Sequence, residues 1–302
     1  MNNFNVNIFS EARKAGRPLI LDGAMGSLLQ QKGFESCGAS WMTEVNEKKP
    51  EIIVKIHKEY IDAGADIITT NTFRTNPNAF DETEAVNISE YVKNAVKLTK
   101  ESAGNSFIII AGSNPPAEDC YQSERLITNK ILELNHHNHI DSLMNNGVGF
   151  ILNETLSHLD EIIIVCNYCS SKNIPYIISL YLNGDLRLLS GETLEDTLNL
   201  IKEYNPLAIG INCISPEHFE KAFENVDINY NWGFYLNCGF NEHHVNEIKC
   251  RVSPKTYGEI VKKYLEYQPS FIGACCGSTP EHIKKIKRVL DEQNNIKITS
   301  KN

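Results

Sequence analysis

The chain has 302 residues, 41% hydrophobic and 22% charged, with a formal net charge of −9. That is enough to bury a sizeable core, as one large domain or two ordinary ones. The acidic balance speaks against nucleic-acid binding, which needs a basic patch to neutralise phosphates.

The N-terminal stretch MNNFNVNIFSEARKAG has no apolar signal region. No apolar run approaches the ~18–20 residues of a membrane span, so a cytoplasmic protein is expected. In that reducing compartment, nine cysteines point to metal ligands or core packing rather than a disulfide framework.

In chain order, Leu19–Leu21 reads as a strand ending in the turn Asp22-Gly23-Ala24-Met25-Gly26. Pro50–Ala63 has apolar residues at helical spacing, with Gly64 as its stop. The β-branched run Asp66–Phe73 is a second strand, Glu84–Glu101 a helix and Phe107–Ala111 a third strand. A helix over Asn129–Asn145 precedes a strand at Val148–Leu152, and a helix over Leu159–Cys169 precedes one at Pro175–Leu182. A helix over Leu194–Tyr204 leads to a sixth strand at Leu207–Ile211. Ser215-Pro216 then opens a helix, with Ser as N-cap and Pro at the first helical position. Trp232–Leu236 is the seventh strand, and Ser253-Pro254 opens the next helix by the same device. Ser270–Ala274 is the eighth strand, and Thr279-Pro280 opens the last helix.

Most of these strands are continuous apolar runs, as expected when both faces are buried. Strands alternating with helices imply parallel βαβ units. Eight such units predict a single-domain (β/α)8 TIM barrel over residues 1–302, with its core at about 15–293. A doubly wound open sheet is the alternative, but the first turn, DGAMG, lacks the GxGxxG phosphate pattern.

Loops after barrel strands form the active-site face. Asp22, Asn71, Ser113, Glu154, Cys213, Asn237, Cys275 and Cys276 all fall at such ends. Cys275 and Cys276 are adjacent, and adjacent strand residues point to opposite faces. They can share one ion only if the backbone turns sharply, for which Gly273 and Gly277 supply freedom. Thiolates suit zinc, and three protein ligands with an open fourth position mark a catalytic site. Buried core cysteines or a vicinal disulfide are the other readings of the pair.

Together these motifs resemble the homocysteine S-methyltransferase family, which is related to betaine–homocysteine methyltransferase and to the homocysteine module of methionine synthase. The matching stretches are LDGAMG (Leu21–Gly26), GADIITTNTF (Gly64–Phe73), AGS (Ala111–Ser113) and ET (Glu154-Thr155). They continue through SGE (Ser190–Glu192), GINC (Gly210–Cys213), Asn237 with Gly239, and GACCGSTPEHI (Gly273–Ile283). AEDCY (Ala117–Tyr121) is similar to the free-standing branch. The resemblance implies zinc on Cys213, Cys275 and Cys276, with Asn237 as a fourth ligand when substrate is absent. It implies homocysteine bound through its sulfur to zinc, its amino group on Asp22 and Glu154, and its carboxylate on backbone N–H groups of Gly23, Ala24 and Met25. Asn153, Leu236 and Cys238 depart from the family's common residues around the pocket. Of these, Cys238 reads as a packing residue.

Three thiolate ligands would leave the site anionic, keep a bound sulfur nucleophilic and attract an onium donor. Trp41, Phe73 and Tyr121 could hold such a cation against aromatic faces. The expected reaction is zinc-dependent methyl transfer to homocysteine, giving methionine, with S-methylmethionine or S-adenosylmethionine as favoured donor. Betaine, methylcobalamin or methylfolate are the other donors, and selenocysteine the other acceptor. A non-catalytic zinc- or thiol-binding barrel is the rival of another class. Expected partners are homocysteine and a small methyl donor, with no nucleic acid or membrane. A second copy of the chain or a separate corrinoid protein is compatible with the sequence.

Other clusters carry blander readings. Cys166 and Cys169 share a helix face and read as core. His136, His137 and His139 read as solvated surface, and Lys284, Lys285, Lys287 and Arg288 as the outer face of the last helix. Cys37, Cys120 and Cys250 have no assigned role.

Overall fold

The computed structural model describes residues 7–35, 40–80, 88–224, 229–239 and 248–299, with side chains through 295. Cys37 and the expected start of the helix at Glu84 lie outside the described residues. The strands are β1 Leu19–Ile20, β2 Ile67–Thr69, β3 Ile109–Asn114, β4 Phe150–Leu156, β5 Tyr176–Leu180, β6 Ala208–Asn212, β7 Trp232–Leu236 and β8 Phe271–Ala274. The named strands pair in parallel, β2 through β8 in succession and β8 back to β1. The Leu21–Ile67 bridge, with Asp22 N–H on the Ile67 carbonyl at 3.0 Å, joins β1 to β2. The sheet is therefore a nearly closed (β/α)8 barrel, and the doubly wound alternative falls.

The helices among the described residues are α1 Ile8–Ala15, α2 Gly26–Gln31, α3 Val45–Lys48, α4 Pro50–Ala63, α5 Ile88–Ala103, α6 Asn129–Asn145, α7 Leu159–Ser171, α8 Leu194–Glu203, α9 Pro216–Phe223, α10 Pro254–Tyr264 and α11 Pro280–Thr299. Ser215 and Ser253 cap α9 and α10 by accepting from His218 N–H and Thr256 N–H, satisfying donors that a helix start otherwise orphans. None of these helices is long and apolar enough to cross a membrane.

The barrel interior is filled by Leu21, Ile67, Ala111, Phe150, Leu152, Ile177, Ala208, Tyr235 and Phe271, with Phe9 of α1 among them. Phe9 precedes the expected core of 15–293. Its ring makes edge contacts with Phe150 and Phe271 at 5.5 and 5.6 Å. Such a buried ring stabilises by roughly 1.5–3 kcal/mol from area alone.

Two strands differ from their expected spans in a way that positions the site. β3 starts at Ile109, leaving Phe107 fully exposed, and runs on through Gly112, Ser113 and Asn114. β4 likewise continues through Asn153, Glu154 and Thr155. Polar residues expected in loops thus belong to the sheet, which fixes them more rigidly than a loop would.

The histidine reading is corrected. His136 and His139 are fully buried, because α6 turns them toward α7 and the β3 end. His136 Nε2 meets Glu161 Oε1 at 2.8 Å, and His139 bonds Thr75 Oγ1 and Asn114 Oδ1, both at 2.8 Å. His137 instead stacks on Tyr168 at 3.7 Å. Glu161 also accepts from Ala117 N–H at 2.7 Å and faces Arg125. Burial alone would raise the Glu161 carboxyl, but His136 and Arg125 hold it below the usual range. This network anchors the β3–α6 loop. Cys166 and Cys169 are core residues as expected, fully buried.

Candidate active site

A cavity of about 770 Å³ opens at the C-terminal ends of the strands. Cys213, Cys275, Cys276, Asp22 and Glu154 line it, and so does the Gly23–Met25 turn. Trp41, Phe73 and Tyr121 share the same wall. Residues far apart in the chain converge here because most lie at or just beyond the C-terminal ends of the strands of one barrel.

The three thiols form the metal-ligand group of three found among the described residues, with their sulfurs all within 4.8 Å of one another. Cys213 Sγ and Cys276 Sγ are 3.8 Å apart. Sulfurs ~2.3 Å from a tetrahedral zinc stand about 3.8 Å from each other, so this spacing fits the ion. All three cysteines are free, and no vicinal disulfide links Cys275 to Cys276. The thiols of Cys275 and Cys276 hydrogen-bond to Cys213 and lower its pKa. Those same bonds to Cys213 hold the protons on Cys275 and Cys276, whose values rise. One thiolate forms readily there, and further charge in that space is costly without a cation.

The backbone is bent to bring these sulfurs together. Gly277 has φ +80, and a Cβ there would stand 2.5 Å from Gly239 N. The Cys276 carbonyl accepts from Cys238 N–H and Gly239 N–H at 2.8 and 2.9 Å, which clasps the turn from behind. Gly273 does not supply the expected turning freedom. It is needed for space, since a Cβ there would meet the Leu21 Cβ at 2.9 Å. Cys213 itself adopts φ 56, a conformation that costs a non-glycine residue about 1–3 kcal/mol. Cys238 is buried outside the thiol group, with Sγ 3.8 Å from the Leu236 carbonyl, which suits packing.

The carboxyl pair occupies the other part of the cavity. Asp22 is 4% exposed and accepts from Thr69 N–H at 2.8 Å and Thr69 Oγ1 at 3.0 Å. Glu154 sits within a break in the β4–β5 register between Asn153 and Leu156, where Thr155 takes φ 62. Asn212 holds that kink, accepting from Thr155 N–H at 3.1 Å and donating to Thr155 Oγ1 at 2.9 Å. Such a kink re-aims a side chain, and Ser113 Oγ donates to the Glu154 carboxylate. Burial raises the Asp22 carboxyl well above its ordinary value, with the nearby Glu154 adding to it. Burial likewise pushes Glu154 up to about 7, aided by Cys213 and opposed by Ser113. A buried and a half-buried carboxyl, both with raised values, suit a cation between them.

The turn after β1 offers two of its three expected donors. Ala24 N–H is already taken by Ser278 Oγ at 3.0 Å. No partner stands against Gly23 N–H or Met25 N–H among the described residues. Asn237 is buried and does not line the cavity; its Oδ1 accepts from Gly239 N–H at 2.7 Å. Tyr121 Oη lies 3.2 Å from Cys213 Sγ, and its ring meets Tyr181 edge-on at 5.1 Å. Trp41 and Phe73 meet edge-on at 6.1 Å. Sequence reasoning missed Thr69, Tyr235, Cys120 and Arg74 on or beside this wall. Arg74 carried a readable signal, as a cation directly after a strand end, whereas Thr69 looked like one more β-branched residue.

A family model described as homocysteine S-methyltransferase matches residues 19–290. Homocysteine S-methyltransferase of Escherichia coli (strain K12) is 24% identical over 89% of this chain and 94% of its own. Homocysteine S-methyltransferase YbgG of Bacillus subtilis (strain 168) is 25% identical over 89% of this chain and 93% of its own. The crystal structure of the metallated form of the homocysteine methyltransferase MmuM from Escherichia coli superposes with a TM-score of 0.72, at 22% identity. It covers 90% of this chain and 96% of that one.

Proposed function

The chain belongs to the homocysteine S-methyltransferase family, and from that premise we propose that it moves a methyl group from an onium donor to homocysteine in a zinc-dependent reaction. Three thiols within 4.8 Å of one another, in the same cavity as the buried Asp22 and half-buried Glu154 carboxyls, carry this reading. Cys213, Cys275 and Cys276 would hold zinc, with Asn237 as a fourth ligand in the absence of substrate. Zinc would supply the Lewis acidity that keeps an acceptor thiol deprotonated at neutral pH.

The chain's own groups bind and orient. Asp22 and Glu154 take the acceptor's ammonium group, and its charge draws the protons off both raised carboxyls. Thr69 and Ser113 hold those carboxylates in place. Gly23 N–H and Met25 N–H are the donors open to the acceptor's carboxylate. The acceptor thiolate supplies the electron pair of the new S–CH3 bond. The donor heteroatom keeps the pair of the bond that breaks and leaves neutral. The thiol proton goes to solvent. Holding both partners in line in one cavity supplies much of the rate. Trp41, Phe73 and Tyr121 offer aromatic faces to the onium charge.

S-methylmethionine or S-adenosylmethionine is the favoured donor, before betaine, methylcobalamin or methylfolate. The test is methionine formation by zinc-loaded protein from homocysteine, or methylated product from selenocysteine, with each donor in turn. No product from any donor would sink the reading.

A further inference from the structure

The cavity wall is acidic, carrying Asp22, Glu118, Asp119 and Glu154, and among its described lining residues Arg74 is the one cationic side chain. Arg74 follows Phe73 in the loop after β2, with its guanidinium 5.5 Å from the Phe73 ring centre. Nη1 donates to the Glu118 carbonyl at 3.2 Å. No carboxylate pairs with Arg74 among the described residues. The Glu118 carboxylate is committed to Arg125 at 3.1 Å and to Leu126 N–H at 3.1 Å. The Asp119 carboxylate accepts from Tyr121 N–H at 2.8 Å.

Arginine has five donors and stays charged. A half-buried guanidinium with most donors unmatched is costly unless an anion completes it. The guanidinium would also repel any onium ion beside Phe73 that brought no negative charge of its own. We infer that Arg74 anchors the carboxylate of a zwitterionic onium donor, whose cationic centre lies among Phe73, Trp41 and Tyr121. This inference rests on the methyl-transfer reading and narrows its donor class. Onium carboxylates, whether sulfonium amino acids or betaine, are accepted, and onium ions without a carboxylate are discriminated against.

The test compares wild type, Arg74→Gln and Arg74→Lys, zinc-loaded, with S-methylmethionine, betaine, S-methylmethionine methyl ester and trimethylsulfonium. Steady-state rates give separate KM values for donor and homocysteine, and calorimetry gives donor affinity without turnover. Arg74→Gln should raise the KM and the Kd of the carboxylate donor about 30-fold or more, with Arg74→Lys intermediate. The KM of homocysteine and the zinc content should change less than about twofold. The ester and trimethylsulfonium should be poor donors for wild type and indifferent to Arg74→Gln. Which of S-methylmethionine and betaine responds identifies the source. An unchanged donor KM and Kd would overturn the inference. So would a rise in homocysteine KM instead, or trimethylsulfonium serving wild type as well as the carboxylate donors. If no donor yields methionine with wild type, the methyl-transfer reading fails, and calorimetry still decides on Arg74. Arg74-dependent binding of an onium carboxylate would sustain the subsite, and its absence would end it.

Discussion

Glu154→Gln isolates the charge that the proposed reading sets against the acceptor's amino group. Burial lifts the Glu154 carboxyl from 4.5 to about 7. The ligand-free protein therefore keeps this proton through the mildly acidic range, and an ammonium ligand must expel it. With a value near 7, about a tenth of the carboxyl is ionised at pH 6 and about nine-tenths at pH 8. Apparent affinity scales with that fraction, so binding should tighten roughly tenfold between the two. Methionine is the probe, because it carries the amino-acid end and has no thiol to titrate. Calorimetry in buffers of different ionisation enthalpy should read about 0.9 proton released per methionine at pH 6 and about 0.1 at pH 8. Asp22, also raised by burial, adds in the same direction. Glu154→Gln should bind methionine about tenfold or more weakly at pH 8, the worth of a charged hydrogen bond, and with a much flatter pH dependence. For stability the sign is the opposite. From pH 4.5 to 7 the folded carboxyl holds a proton that the unfolded chain has lost, so the ligand-free protein loses up to roughly 3 kcal/mol as pH rises. Above that it stays level. A pH-independent affinity in wild type, or an undiminished slope in Glu154→Gln, would refute the assignment.

Cys275→Ala should abolish both stoichiometric zinc and methionine formation, and one zinc per chain by elemental analysis would overturn the ligand set. Gly277→Ala should weaken metal retention and cost about 1–3 kcal/mol in equilibrium unfolding, because φ +80 and the 2.5 Å approach to Gly239 N leave a Cβ no room. Glu161→Gln removes the buried carboxylate facing His136 and one of the three carboxylates around Arg125, leaving Glu118 and Asp160. It should lower stability by about 3–5 kcal/mol, seen as an earlier denaturant midpoint. Phe9→Ala should cost about 3–5 kcal/mol while leaving zinc stoichiometry unchanged, since Phe9 fills the barrel interior and is absent from the cavity wall.

The eight strands were legible because local patterning and burial agree. A strand covered on both faces must be apolar along its length, so Ala208–Ile211 or Phe271–Ala274 announces itself whatever its partners. The helix starts at Ser215 and Ser253 were legible for the same reason, since capping is settled within four residues. The meeting of Cys213, Cys275 and Cys276 was legible at one remove, through their place at strand ends. α1 was not, because what it packs against lies at β4 and β8.

The histidines of α6 show the limit most plainly. Their run of polar neighbours reads as surface, yet His136 and His139 are buried because Glu161 and Asn114, on other elements, satisfy them. Burial of a polar group depends on a distant partner, and no local period encodes one. The site divides in the same way. Which residues are candidates for the chemistry follows from residue type and from position at the strand ends. That Glu154 holds its proton to about pH 7, that Gly273 gives space rather than a turn, and that Arg74 stands alone in an acidic cavity all come from contacts between separate strands. Desolvation, close approach and charge pairing act through space, so only the closed barrel decides them.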